Sequence, residues 1–139
     1  MEAYTENGDG SGTPANGQVN VVGDDNFVEE VLDIGAPVLV DFMAQWCGPC
    51  KFMGPVFAEL APEYTGRVRF AKLDVDEAPG VAGALRVQSI PTFMLFSGRT
   101  VYAAGVGAMP PDDLRRWIDE GLTRIAENPM PAVAAEAGA

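Results

Sequence analysis

Hydrophobic and polar positions change period several times along the chain, and each change marks an element. Gln18–Val22 reads as a short apolar strand. Asp24 and Asp25 then offer caps for a helix carrying Phe27, Val28, Val31 and Leu32, which Gly35 ends. Pro37–Met43 (PVLVDFM) is almost continuously apolar, as expected of a strand covered on both faces. The next segment places Phe52, Met53, Val56, Phe57 and Leu60 on one face of a helix, with Pro55 expected to kink it. Val68–Val75 is a further strand, and Pro79–Leu85 a short helix weakened by Gly80 and Gly83. Thr92–Ser97 and Thr100–Ala104 flank Ser97-Gly98-Arg99 and predict an antiparallel hairpin. Pro110 and Pro111 open a last helix, with Asp112 and Asp113 in its first turn. Its buried stripe is Leu114, Trp117, Ile118, Leu122 and Ile125.

Strand–helix–strand alternation requires parallel pairing with right-handed crossovers, and the terminal hairpin adds an antiparallel part. The predicted class is α/β: a central five-stranded mixed sheet flanked by four helices, placed on both faces. Residues 1–17 are Gly, Ser, Asn, Pro and acid, and read as a disordered tail. Residues 18–127 form the domain. Residues 128–139, where Pro129 and Pro131 stop the last helix, read as a second flexible tail.

Composition narrows the function. The 139 residues carry a net charge of −11, which opposes nucleic-acid binding and repels anionic membranes. No apolar run approaches the roughly 20 residues that span a bilayer. The N-terminus has neither a basic region nor an apolar core of a secretory signal, so a reducing cytoplasm is the expected compartment.

The candidate chemistry sits in Trp46-Cys47-Gly48-Pro49-Cys50. These are the only two cysteines, and there is no histidine. A structural zinc normally takes four Cys or His ligands, which one chain cannot supply; a metal shared by two chains is a minor alternative. A structural disulfide is a poor reading, because so short a loop adds little chain-entropy stabilisation. A dithiol that becomes a disulfide by giving up two electrons remains. The pair lies where a strand end meets a helix N-terminus, whose partial positive charge favours thiolate. Cys47, nearest the helix start, should be exposed and nucleophilic; Cys50, one turn inside, should be more buried.

Resolution by Cys50 needs a proton acceptor. Asp41, in the middle of PVLVDFM, is the candidate: burial would raise its pKa toward that of a working base. The alternative is an ordinary exposed aspartate near a strand end. Lys72, mid-strand among apolar residues, is either its ion-pair partner or a snorkelling surface lysine. Gly48 and Pro49 bring no ionisable group to stabilise a Cys47 thiolate, which points to a reductant.

WCGPC, the preceding VLVDF and the downstream Ile90-Pro91-Thr92 together resemble the thioredoxin family, over about Gln18 to Ile125. The resemblance implies a thioredoxin fold and a protein disulfide reductase, with Cys47 attacking and Cys50 resolving. It matches Asp41 to the buried carboxylate, Lys72 to its neighbour and Pro91 to the cis-proline facing the disulfide. Trp46, Gly48, Pro49, Ser89, Ile90, Val106, Gly107 and Ala108 match the apolar docking surface. It implies a monomer with no bound cofactor and electrons arriving indirectly from NADPH. The implied partners are a thioredoxin reductase and disulfide-containing client proteins. Met43 departs from the family, which usually has tryptophan there, and should loosen the surroundings of the cysteines. Two competing readings share the fold: an oxidase or isomerase outside the cytoplasm, and a binding subunit whose thiols are incidental.

Overall fold

Strand β2 (Val38–Met43) is the axis of the molecule, and Val38–Phe42 are all buried. The computed structural model describes residues 15–129. In chain order the other elements are β1 (Val19–Val21), α1 (Val28–Leu32), α2 (Gly48–Leu60) with a short 3-10 turn after it (Ala61–Tyr64), β3 (Arg69–Asp74), α3 (Pro79–Ala84), β4 (Thr92–Ser97), β5 (Thr100–Val106) and α4 (Pro111–Glu127). The sheet order is β1-β3-β2-β4-β5. β3 runs parallel to both β1 and β2, while β4 is antiparallel to β2 and to β5. This is the mixed five-stranded sheet that the alternation predicts. The hairpin is two residues longer than predicted, with a bulge between Leu95 and Phe96.

Two cores lie on opposite faces of the sheet. On one, Leu39, Phe70, Phe93 and Leu95 meet Met53, Phe57 and Leu60 of α2 and Leu114 and Ile118 of α4. On the other, Val38, Val40, Phe42, Ala71 and Leu73 pack against Phe27, Val31 and Ala78 around α1 and α3. Gly121 lets α4 come close: a Cβ there would sit 2.5 Å from Leu95 Cδ2. Helix α2 runs through Pro55, which is exposed, as is Lys51, so water can serve the carbonyl that the missing N–H leaves free.

Several expectations are corrected. The first helix is a single wide turn in which the Asp33 N–H donates to the Val28 carbonyl at 2.8 Å. Neither Asp24 nor Asp25 caps it. The Asp24 carboxylate instead accepts from the Gly80 and Val81 amides at 3.0 and 2.8 Å, and so caps α3. Phe52 and Val28 are exposed rather than buried. In α2, Met53, Val56, Phe57 and Leu60 already fill the face that meets the sheet, and Phe52 stands about 100° away from Met53.

The proposed tails, residues 1–17 and 128–139, lie mostly outside the described residues. What is described of them is held: Ala15 is buried, its carbonyl accepts from the Gly66 amide at 3.2 Å, and the Asn128 carbonyl accepts from the Tyr102 hydroxyl at 2.6 Å.

Candidate active site

β2 ends at Met43, the chain turns through Ala44–Trp46, and α2 begins at Gly48 with Cys47 as its N-cap. Proline at the second helical position suits the start of α2, where amides have no helical partner. The Cys50 N–H points to the Cys47 sulfur at 3.1 Å, so this sulfur does the capping work usually done by a Ser or Asp oxygen. Cys47 and Cys50 are joined as a disulfide, with Cα atoms 5.2 Å apart.

Cys47 is not exposed as expected. It is 4 % accessible and Cys50 is 5 %, so exposure does not distinguish them. Ala44, Met43, Val75 and Ile90 pack around the pair. What distinguishes them is position: Cys47 sits at the electropositive end of a 13-residue helix and receives its amide, while Cys50 lies inside the first turn.

Asp41 is 3 % exposed. Side chains alternate along β2, and Leu39 packs with α2 residues, so Asp41 lies on the α2 side of the sheet. Among the described residues its Oδ1 has no hydrogen-bond partner. Burial pushes its pKa up to about 7, against the smaller opposing pull of the positive charge of Lys72. Lys72 stands directly opposite Asp41 in the β2–β3 register and is itself exposed. Beside Met43 a cleft of about 260 Å³ opens, lined also by Val21, Gln45, Lys72, Asp74 and Glu77.

The Ile90–Pro91 peptide bond is cis, and Cys47 Sγ lies 3.9 Å from the Ile90 carbonyl oxygen. Thr92 is paired with Phe42 on one side and with Val106 on the other. This register brings Ser89–Pro91 and Val106–Ala108 to the end of the sheet that carries Cys47. The Gly107 amide donates to the Pro91 carbonyl at 2.8 Å and ties the two segments together. Trp46 and Val106 are 68 % and 66 % exposed, and Gly48, Pro49, Ser89 and Ala108 are exposed as well. The result is an apolar rim around the disulfide. Gly107 is in the left-handed region, at φ +103°.

One polar partner escaped the sequence reading. The Trp46 indole N–H donates to Asp76 Oδ2 at 2.7 Å. An indole N–H usually finds an acceptor, and the acids that follow β3 stand beside the end of β2. That rule was the available signal, but three acids (Asp74, Asp76 and Glu77) satisfied it equally. Among the described residues no three His, Cys, Asp or Glu side chains converge on a metal position. No helix there is long and apolar enough to cross a membrane.

A pair of cysteines at a helix start, backed by a buried carboxyl and rimmed by apolar surface, defines a thiol–disulfide oxidoreductase. Comparison with known proteins agrees: the thioredoxin family model matches residues 18–120. Thioredoxin of Chlorobaculum thiosulfatiphilum is 47% identical over 99 residues, covering 71% of this chain and 92% of that protein. Thioredoxin of Allochromatium vinosum is 48% identical over 98 residues, 70% of this chain and 92% of its own. The chloroplastic M-type thioredoxin of Spinacia oleracea is 42% identical over 106 residues, 76% of this chain and 59% of its own. The chain belongs to the thioredoxin family, and its Cys47–Cys50 pair is that of a disulfide reductant. Thioredoxin is itself a standard example of thiol activation in a CxxC pair.

Proposed function

We propose that the chain reduces disulfides in client proteins by a two-step exchange. The Cys47 thiolate attacks one sulfur of the client disulfide. A Cys47–client bond forms and the other client sulfur leaves as thiolate. Cys50 then loses its proton to Asp41 and attacks the Cys47 sulfur. The Cys47–Cys50 bond forms, and the second client sulfur leaves. Two electrons and two protons have passed from the dithiol to the client. The observation that carries this reading is the Cys50 amide aimed at the Cys47 sulfur at a helix N-terminus. The same donor that meets the oxidised sulfur would hydrogen-bond a thiolate, and a charge-assisted bond is the stronger of the two.

Asp41 serves as proton acceptor because a carboxyl with a pKa near 7 changes charge in the working range. Lys72 moderates that pKa from the strand opposite. Trp46, Gly48, Pro49, Ser89, Ile90, Pro91, Val106, Gly107 and Ala108 form the docking surface. A client segment laid along Pro91 meets no N–H there and pairs with the backbone of Ile90. The working unit is a monomer of residues 18–127 in the cytoplasm, with residues 1–17 and 128–139 as tails. A thioredoxin reductase regenerates the dithiol with electrons from NADPH, and no bound cofactor is required.

Reduction of insulin by the full chain, driven by dithiothreitol, tests this directly. Cys47→Ser should abolish turnover. Cys50→Ser should stall as a stable mixed disulfide with the client. Turnover surviving Cys47→Ser would overturn the assignment.

A further inference from the structure

The segment Ser89–Pro91 faces Cys47 from outside the helix that carries it, and something must hold it at the right angle. Its C-terminal side is fixed twice: the Pro91 carbonyl accepts from the Gly107 amide, and Thr92 is paired between Phe42 and Val106. Its N-terminal side follows Leu85–Gln88, which the Val87 amide ties back to α3 through the Ala82 carbonyl at 2.9 Å. Beyond that tie, Ser89 itself is held by a side chain. Thr92 Oγ1 donates to the carbonyl of Ser89, three residues back, and closes a small ring over Ile90 and Pro91. Thr92 is 4 % exposed. A valine would fill the same volume in a strand flanked by Phe93 and Phe96, so packing alone does not call for a hydroxyl. A buried hydroxyl needs a partner, and this one has taken the carbonyl next to the residue whose backbone meets Cys47.

We propose that the Thr92 hydroxyl is a positioning group for client docking. It fixes the Ser89 carbonyl, and through it the plane in which Ile90 offers its backbone to an extended client segment. Thr92 touches neither the client nor the cysteines; it acts through Ser89–Pro91. The proposal rests on the disulfide-reductant reading and on the docking surface assigned above. A small aromatic disulfide has no backbone to pair with Ile90, so its reaction with Cys47 should not depend on Thr92.

The test compares Thr92→Val, Thr92→Ala and Thr92→Ser in the full chain, with insulin and with 5,5′-dithiobis(2-nitrobenzoic acid) as substrates. A positioning bond of ordinary strength predicts that Thr92→Val raises KM for insulin about fivefold, with kcat changed by less than about twofold. The rate with the small disulfide should stay within about twofold of the unmodified chain. Thr92→Ser, which keeps the hydroxyl, should restore the KM. Thr92→Ala should repeat the KM effect and provides the readout if valine does not fold. An unchanged insulin KM in both hydroxyl-free variants overturns the proposal. So does a serine variant no better than valine, or a small-disulfide rate that falls as far as the insulin rate. Failure of the unmodified chain to reduce insulin would overturn the reductant reading instead, and is recognisably different.

Discussion

Each face of the sheet buries a charge-bearing side chain, and the two are treated in opposite ways. On the α1/α3 face, Arg69 is 2 % exposed and ion-paired with Glu30 of α1. On the α2/α4 face, Asp41 is buried to the same degree, yet its Oδ1 has no hydrogen-bond partner among the described residues. A buried charge that is paired is settled: the ion pair ties β3 to α1. A buried carboxyl without such a partner is driven toward its neutral form and can change charge near neutral pH. The settled one lies away from the disulfide. The unsettled one shares a face with the helix that carries it.

The comparison can be broken from the paired side first. Arg69→Met leaves Glu30 beside an apolar neighbour and should cost about 3–5 kcal/mol, read from urea unfolding. Adding Glu30→Met should recover much of that loss. The insulin reduction rate of any folded variant should not change. A large loss of activity at full stability would show that the two faces are not separate.

Next comes Asp41→Asn in the disulfide form. The folded pKa is raised from about 4 to about 7, so the aspartate's contribution is fully present below about pH 4 and lost as pH rises through 7. Asparagine removes that dependence. The variant should therefore be the more stable one at pH 8, by an amount on the order of 4 kcal/mol at most, with the gap closing toward pH 4. Turnover should fall, and the rate of the Cys50 step should lose its inflection near pH 7. Parallel unfolding curves at pH 4 and pH 8 would sink the assignment.

A smaller effect is expected at the rim. Asp76→Asn weakens the acceptor for the Trp46 indole, and should cost about 1 kcal/mol or less. The emission spectrum of Trp46 should change more than the stability does. The smallest effect belongs to a half-exposed surface pair. Arg115 grips both oxygens of Glu63 at 2.8 Å, and that hydrogen bond holds the Glu63 pKa low. Solvent screens it, so Glu63→Gln should leave the unfolding midpoint within measurement scatter. A clear shift there would mean that surface pairs matter more in this chain than the buried contrast suggests.

Much of this arrangement was legible in the sequence because the local signals agreed with each other. The unbroken run PVLVDFM could only be a central strand, and the same run exposed Asp41 as the odd residue in it. The Cys47–Cys50 spacing after that strand placed the chemistry. What escaped was long-range or depended on a helix's rotation. Asp24 looks like a cap for the residues next to it, and nothing local reveals that its carboxylate reaches amides 56 and 57 residues away. Phe52 fits a helical stripe until the sheet chooses which 100° of α2 to cover. The place of Cys47 at the helix start predicts exposure, yet Val75 and Ile90, distant in the chain, close over it together with Met43. The Thr92 hydroxyl could not be read at all, since threonine is an ordinary strand residue.

The cap that Asp24 provides has a consequence for how the molecule opens. α3 has six residues, two of them glycine, and cannot persist alone. Its first amides are held from the loop after β1, and a few residues earlier Asp76 holds Trp46. These three segments should therefore open as one unit of local unfolding. In hydrogen exchange the amides of Gly80 and Val81 should lose protection together with the β1–α1 loop, ahead of β2 and β3. The wall on one side of the disulfide would then be the part of the molecule that opens first.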